Sequence, residues 1–285
     1  MKSIGFVGGD LRQLTLLRNF QSIGYSVKIF GYSGAPESAE NIEDVFNSDL
    51  IVFPMPTCSG DRIFAPFYEN PIYIKDLQLP AGKIIFYAGS GNALYEKLVS
   101  SGSLCFDYLK RDELAIKNAI PTAEGAVEIA MNETAHSIFG SNVLITGFGR
   151  VAKALARTLK GLDAEVTVAA RKYSALAEAQ AIGCHTIKLE HLNNRIGEFE
   201  LIFNTIPALI IDEERLSKAK EDALIIDLAS KPGGIDFNAA KKLSKRVIWA
   251  LSLPGKIAPV TAGNIIFDTI MNILSETEVT DNGFI

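Results

Sequence analysis

Two observations predict an α/β protein made of two Rossmann-like, doubly wound parallel-sheet domains with a cleft between them. Short apolar strands alternate with amphipathic stretches along all 285 residues, the pattern of parallel sheets covered by helices on both faces. The alternation also restarts near Asn142 with a series of six strands, the number in a complete dinucleotide-binding fold. A chain of this length has room for two apolar cores.

The elements follow in order. Strands are predicted at 3–7, 27–30, 50–53, 83–87 and 104–106, and again at 142–146, 165–169, 186–189, 201–205, 224–228 and 247–251. Between the two series, Pro121 and Thr122 read as the opening of an interdomain helix whose Ala126, Ile129 and Ala130 share a face. After the last strand, Ile265, Ile266, Thr269, Ile270 and Ile273 recur at helical spacing, and this helix is expected to return to the first domain. The expected domains are 1–118, completed by 261–285, for the substrate, and 119–260 for the coenzyme. Residues 278–285 are polar enough to fray.

Composition narrows the class. With 48% hydrophobic and 21% charged residues the chain reads as globular, and no apolar run reaches the roughly 18 to 20 residues that a membrane helix needs. The opening "MKSIGFVGGD" enters a strand pattern directly, without the apolar region of a secretory leader, so a cytoplasmic location is expected. Cys58, Cys105 and Cys184 are odd in number and lack CxxC spacing, which argues for reduced thiols and against a disulfide framework or a metal site. A net charge of -5 disfavours nucleic acid as a partner. An anionic ligand must then be held by a few local cations.

Gly147-Phe148-Gly149-Arg150-Val151-Ala152 fits GxGxxG/A directly after a strand and before a helix. Gly147 permits a tight turn, Gly149 lets a pyrophosphate approach the backbone, and Ala152 keeps the helix close to the sheet. The helix runs through Leu155, Ala156 and Leu159 to Gly161. Arg171 stands at the end of the second strand, where an acidic residue would bind the ribose 2'-hydroxyl of NAD. With Lys172 and Ser174 it suits a 2'-phosphate instead, so NADP is the expected cofactor. A solvated basic pair is the plainer alternative.

"VGGDLRQ" (7–13) also joins a strand to a helix, but its glycine spacing is wrong and Asp10 would cap the helix with its own carboxylate. The first domain is therefore assigned the substrate. Arg12 suits a substrate carboxylate or the cap. Ser90, Gly91 and Asn92 open another helix whose amides could hold a carboxylate, and Arg111, Asp112, Thr122 and Glu124 lie farther along. In the second domain, Asn204, Thr205 and Pro207, then Asp227, Ala229, Ser230 and Lys231, follow the fourth and fifth strands, where open α/β sheets bind ligands. Asn204 and Asp227 serve equally well as loop-fixing residues. His136, His185 and His191 fall on a helix end and in peripheral elements, so none is a catalytic candidate.

Taken together, "FVGGDLRQ", "AGSGNALYE", "RDELAIKNAIPTAEGAVEIA", "TGFGRVAKALA", "FNTIPALI", "IDLASKPGGIDF" and "LPGKIAPVTAG" resemble the A-subunit family of bacterial dipicolinate synthase over nearly the whole chain. The resemblance implies NADP-dependent oxidation of a dihydrodipicolinate-type intermediate, formed from hydroxytetrahydrodipicolinate, to pyridine-2,6-dicarboxylate. It also implies a flavoprotein-like B-subunit partner and a role in the mother cell of a spore-former. A dicarboxylate substrate calls for cations or amides at both ends, from Arg12, Arg111, Lys231 and the 90–92 turn. Glu124 or Asp112 could accept the ring proton. The D-2-hydroxyacid dehydrogenases, to which the architecture is also similar, use a histidine late in the coenzyme domain. "LPGKIAPVTAG" contains none, and Lys231 stands near that family's arginine, which disfavours hydroxyacid oxidation. Alanine dehydrogenase-like chemistry and a non-catalytic NADP(H) sensor are the other readings.

Overall fold

The computed structural model describes residues 2–35 and 37–277. The predicted fraying of 278–285 lies outside them. Two compact units divide the chain, Met1–Asn118 with Ala258–Ile285, and Ala119–Ile257.

The first unit runs β1 (Ser3–Val7), α1 (Leu11–Ser22), β2 (Ser26–Phe30), α2 (Ile42–Phe46), β3 (Leu50–Val52), β4 (Cys58–Ser59), β5 (Arg62–Ile63), β6 (Ile84–Tyr87), α3 (Asn92–Ser100), β7 (Leu104–Asp107) and the start of α4 (Asp112–Glu133). Its five-stranded parallel sheet has the order β2-β1-β3-β6-β7, the flavodoxin-like winding. Asp10 caps α1, accepting from the Arg12 amide at 3.0 Å. The antiparallel pair β4–β5 is too short to show a period in the sequence and was not anticipated.

The second unit runs from within α4 through β8 (Asn142–Thr146), α5 (Arg150–Gly161), β9 (Glu165–Ala170), α6 (Tyr173–Ala181), β10 (His185–Lys188), β11 (Leu201–Asn204), α7 (Glu213–Lys218), β12 (Leu224–Asp227), α8 (Phe237–Lys242), β13 (Arg246–Trp249) and α9 (Leu253–Ile257). Its six parallel strands take the order β10-β9-β8-β11-β12-β13, the winding of a dinucleotide-binding fold. Helices cover both faces of each sheet, giving two apolar clusters per unit. In α5, Ala152, Leu155, Ala156 and Leu159 form the stripe that faces the core.

The last helix, α10 (Pro259–Glu276), packs in the first unit, where Ile265, Ile266, Ile270, Ile273 and Leu274 join Ile4, Phe6, Leu16 and Phe20 in one core. Gly263 allows close approach to α1, since a Cβ there would lie 2.6 Å from that of Thr15.

The largest difference from the sequence reading is the start of a helix. Pro121 does not open α4 but lies inside it, nine residues after Asp112. A proline is a start signal because it lacks the N–H that an interior residue gives to the preceding turn. Here Asp112 and Glu113 place carboxylates in the first turn, where the helix dipole favours them. Once that turn is formed, propagation tolerates one missing bond.

Candidate functional site: a glycine turn and a basic hollow

The second unit supplies the clearest site. β8 ends at Thr146, and Gly147 turns the chain with φ +87°, its amide donating to the Ala169 carbonyl at 2.8 Å. A Cβ on Gly147 would stand 2.7 Å from the Thr205 hydroxyl, so the turn needs glycine for space as well as for conformation. Gly149 is the N-cap of α5 and offers no side chain to the first-turn amides. Above it, a Cβ would meet nothing within 4 Å. The start of this 12-residue helix is thus uncrowded at Gly149 and carries no side-chain cap. Phe148 and Val151 are half-buried beside the turn, whereas Arg150 is exposed at the first helical position.

The turn is held from the next strand. Thr205, half-buried, donates its hydroxyl to the Thr146 carbonyl at 2.7 Å. Thr146 donates to the Asn204 amide oxygen at 2.6 Å, and Asn204 donates to Asp227 at 2.8 Å. Thr146, Asn204 and Asp227 are all 0% exposed. Asp227 also accepts from the backbone amides of Ala229 at 3.0 Å and Gly234 at 2.8 Å. The expectation that the Asn204 and Asp227 side chains contact a ligand is therefore corrected. Burial leaves them no ligand-facing surface, and their bonds fix the loops that carry Thr205, Pro207 and Ala229. Pro207, Ser230 and Lys231 are exposed on those loops, while Ala229 is buried.

A hollow of about 380 Å³ opens at the carboxyl ends of β9 and β10, lined by Arg171, Lys188, Leu189, Glu190, Ile210 and Arg215. Arg171 is exposed in the bend after β9, followed by exposed Lys172, Tyr173 and Ser174. Lys188 donates to the Arg171 carbonyl at 2.7 Å and lies 3.7 Å from the centre of the Tyr173 ring. Lys188, Tyr173 and Arg215 were not legible as site residues, because they come from separate elements and carry no motif.

In the first unit, the glycine pair of "VGGDLRQ" is closed to an anion. The Gly8 amide donates to Phe30 and the Gly9 amide to Phe64, both at 2.7 Å, and Asp10 occupies the helix start. Arg12, 6% exposed, forks onto the Asp10 carboxylate at 2.8 to 3.2 Å and also donates to the Met55 carbonyl. Ser90, Gly91 and Asn92 lie between β6 and α3, where Gly91 is an N-cap without a side-chain bond. The Gly91 amide bonds Cys58, although burial, the larger influence, pushes that thiol up.

Arg111 is not an open cation for substrate. It grips Glu276 through two bonds of 2.6 and 2.7 Å and Glu113 through a third of 2.7 Å, joining the start of α4 to the end of α10. Asp112 and Glu124 are exposed on α4, and Thr122 is half-buried. Among the described residues, no group of three or more His, Cys, Asp or Glu is placed to hold a metal ion, and no helix is long and apolar enough to cross a membrane.

Residues 3–109 match the N-terminal domain of the dipicolinate synthase A subunit. The A subunit of dipicolinate synthase from Bacillus subtilis strain 168 is 32% identical over 98% of this chain and 97% of its own. The chain belongs to the dipicolinate synthase A-subunit family. Crystal structures of family members agree with the fold. That from Bacillus halodurans superposes with a TM-score of 0.88 at 30% identity, covering 96% of this chain and 97% of its own. That from Bacillus subtilis gives 0.87 at 31%, covering 98% and 97%. Residues 118–236 match the NAD binding domain of D-isomer specific 2-hydroxyacid dehydrogenases. The D-lactate dehydrogenase of Escherichia coli shares the fold, with a TM-score of 0.62 at 13% identity over 98% of this chain and 97% of its own. This family member therefore has a dehydrogenase-type architecture with a dinucleotide-binding second unit.

Proposed function

We propose that this chain is the NADP-dependent oxidoreductase component of a dipicolinate synthase, converting a dihydrodipicolinate-type ring to pyridine-2,6-dicarboxylate. The observation that carries the coenzyme choice is Arg171. Its guanidinium makes no hydrogen bond or ion pair with another described residue, and it borders the hollow at the end of β9, where the ribose of a dinucleotide on the glycine turn would lie. A carboxylate there would accept from a 2'-hydroxyl, whereas a guanidinium attracts a 2'-phosphate. The residues present fit the cofactor: the Gly147–Val151 turn and α5 amides for the pyrophosphate, Arg171 and Lys172 for the phosphorylated ribose, and the loops of Thr205, Pro207 and Ala229 for the nicotinamide end.

When bound, the oxidised nicotinamide supplies the hydride acceptor. The chain's own task is to hold the substrate and take a proton from the ring atom beside the one that loses hydride. Loss of one hydride and one proton leaves the aromatic pyridine. We assign the carboxylate groups of the substrate to Lys231 and the Ser90–Asn92 amides, with Thr122 as a hydroxyl contact, and the proton to Glu124 or Asp112. Arg111, held by two carboxylates, and Arg12, buried and forked onto Asp10, are left out of this set.

The B-subunit partner and a place in the cytoplasm of a sporulating mother cell are part of the same proposal, supported by the family and by its Bacillus members. Purified chain, with and without the B subunit, should generate NADPH together with pyridine-dicarboxylate absorbance from freshly formed dihydrodipicolinate, and NAD should serve poorly. Tight NADPH binding without turnover under either condition would favour a sensor instead. Glu124→Gln and Asp112→Asn separate the two proton acceptors, since the true one lowers kcat while coenzyme affinity holds.

A further inference from the structure

We propose that Lys188 and Arg215 join Arg171 in reading a phosphate on the adenosine ribose, with Lys188 as the discriminating charge. The inference rests on the coenzyme reading above and adds the residues that set its specificity. Lys188 closes β10 and pairs in register with Ala170, the residue before Arg171. Its two contacts, the Arg171 carbonyl and the Tyr173 ring, fix the ammonium beside Arg171 without neutralising it. An ammonium has three donors, so this anchoring leaves donors for a ligand.

Arg215 is arranged in the same way. Its Nε donates to the Asn193 amide oxygen at 2.7 Å and its Nη1 to the Ile210 carbonyl, both neutral acceptors. Three cations from three separate elements therefore line one hollow without a bonded carboxylate. The single acidic residue in the lining, Glu190, is exposed and lies 3.7 Å from the neighbouring His191. Elsewhere in this unit the basic side chains commonly take carboxylates, as Lys153 does Glu178 at 2.5 Å and Lys218 does Glu214 at 2.6 Å. Like charges gathered around a single lining carboxylate repel one another and are stabilised by a polyanion. Leu189 and Ile210 add an apolar wall for a flat base.

The test uses the full chain and titration calorimetry with four probes: NADPH, NADH, adenosine 2',5'-bisphosphate and 5'-AMP. The two adenosine fragments lack nicotinamide, so they report the phosphate independently of any redox step. Lys188→Met should weaken NADPH and the bisphosphate about tenfold, as expected for one lost charge-assisted phosphate bond, and leave NADH and 5'-AMP within about twofold. Arg215→Gln should shift the ratios in the same direction, and Lys188→Arg should retain them. Equal losses for phosphorylated and unphosphorylated probes, or no loss with Lys188→Met, would overturn the assignment. If Lys188→Met and Arg215→Gln both keep the preference for NADPH while Arg171→Ala removes it, only this inference falls. If the unaltered chain binds NADH as tightly as NADPH, the coenzyme reading falls with it.

Discussion

Asn204 and Asp227 stand opposite one another in adjacent parallel strands, and the amide of the first donates to the carboxylate of the second at 2.8 Å. With Thr146 opposite Asn204 on the other side, they form a buried polar line across the carboxyl edge of the sheet. The line ties three strand ends together where the coenzyme loops begin. Buried polar groups of this kind specify a unique geometry when every member is satisfied and cost stability when one is not.

Asp227→Asn should therefore destabilise the chain by about 1 to 3 kcal/mol, because an amide group would turn a donor toward donors already aimed at that site. Urea denaturation measures the loss. Coenzyme affinity should fall as well, although Asp227 has no surface with which to touch the coenzyme.

The two glycines of the dinucleotide turn should respond differently to alanine. Gly147→Ala forces a side chain into φ +87° and against Thr205, which predicts a loss of roughly 1 to 3 kcal/mol. Gly149 has φ -85° and open space above it. Gly149→Ala should leave the thermal midpoint nearly unchanged and weaken dinucleotide binding, as parallel melting and titration experiments would show.

Asp49 links the start of β3 to the start of β1, accepting from the Ser3 hydroxyl at 2.7 Å and the Ser3 amide at 2.9 Å. These bonds, the hydroxyl's first, hold its carboxyl below the usual range. A depressed value stabilises the fold above the ordinary carboxylate pKa of about 3.9 and ceases to do so as pH falls through the native value. The stability difference between the unaltered chain and Asp49→Asn should thus be constant from about pH 5 to 7 and shrink below about pH 4. Denaturation across a pH series checks it.

The doubly wound class was legible because strand and helix periodicity is local. Strands at Ser3–Val7 and Asn142–Thr146 end where the apolar runs end, and others differ by a residue or two in either direction because ladder bonds, and not the apolar run, set where a strand ends. Pro121 misleads because its local signal is overridden by an acidic helix start nine residues earlier. The fate of charged side chains was least legible. Arg111 reads the same whether it meets Glu276 or a ligand, and only tertiary placement decides. Lys188, Tyr173 and Arg215 escape notice for the same reason, since nothing in their spacing announces a shared hollow.

The position of α10 also sets a timetable for synthesis. The second unit is one unbroken segment of roughly 140 residues interposed before the helix that completes the first. At the usual 5 to 20 residues per second, a ribosome takes on the order of ten seconds to cross it. During that interval Ile4, Phe6 and Leu16 lack Ile266, Ile270 and Leu274 as neighbours, while the interposed segment can fold as soon as it emerges. The part of the polypeptide made first is thus finished last, its apolar face uncovered until the final helix emerges.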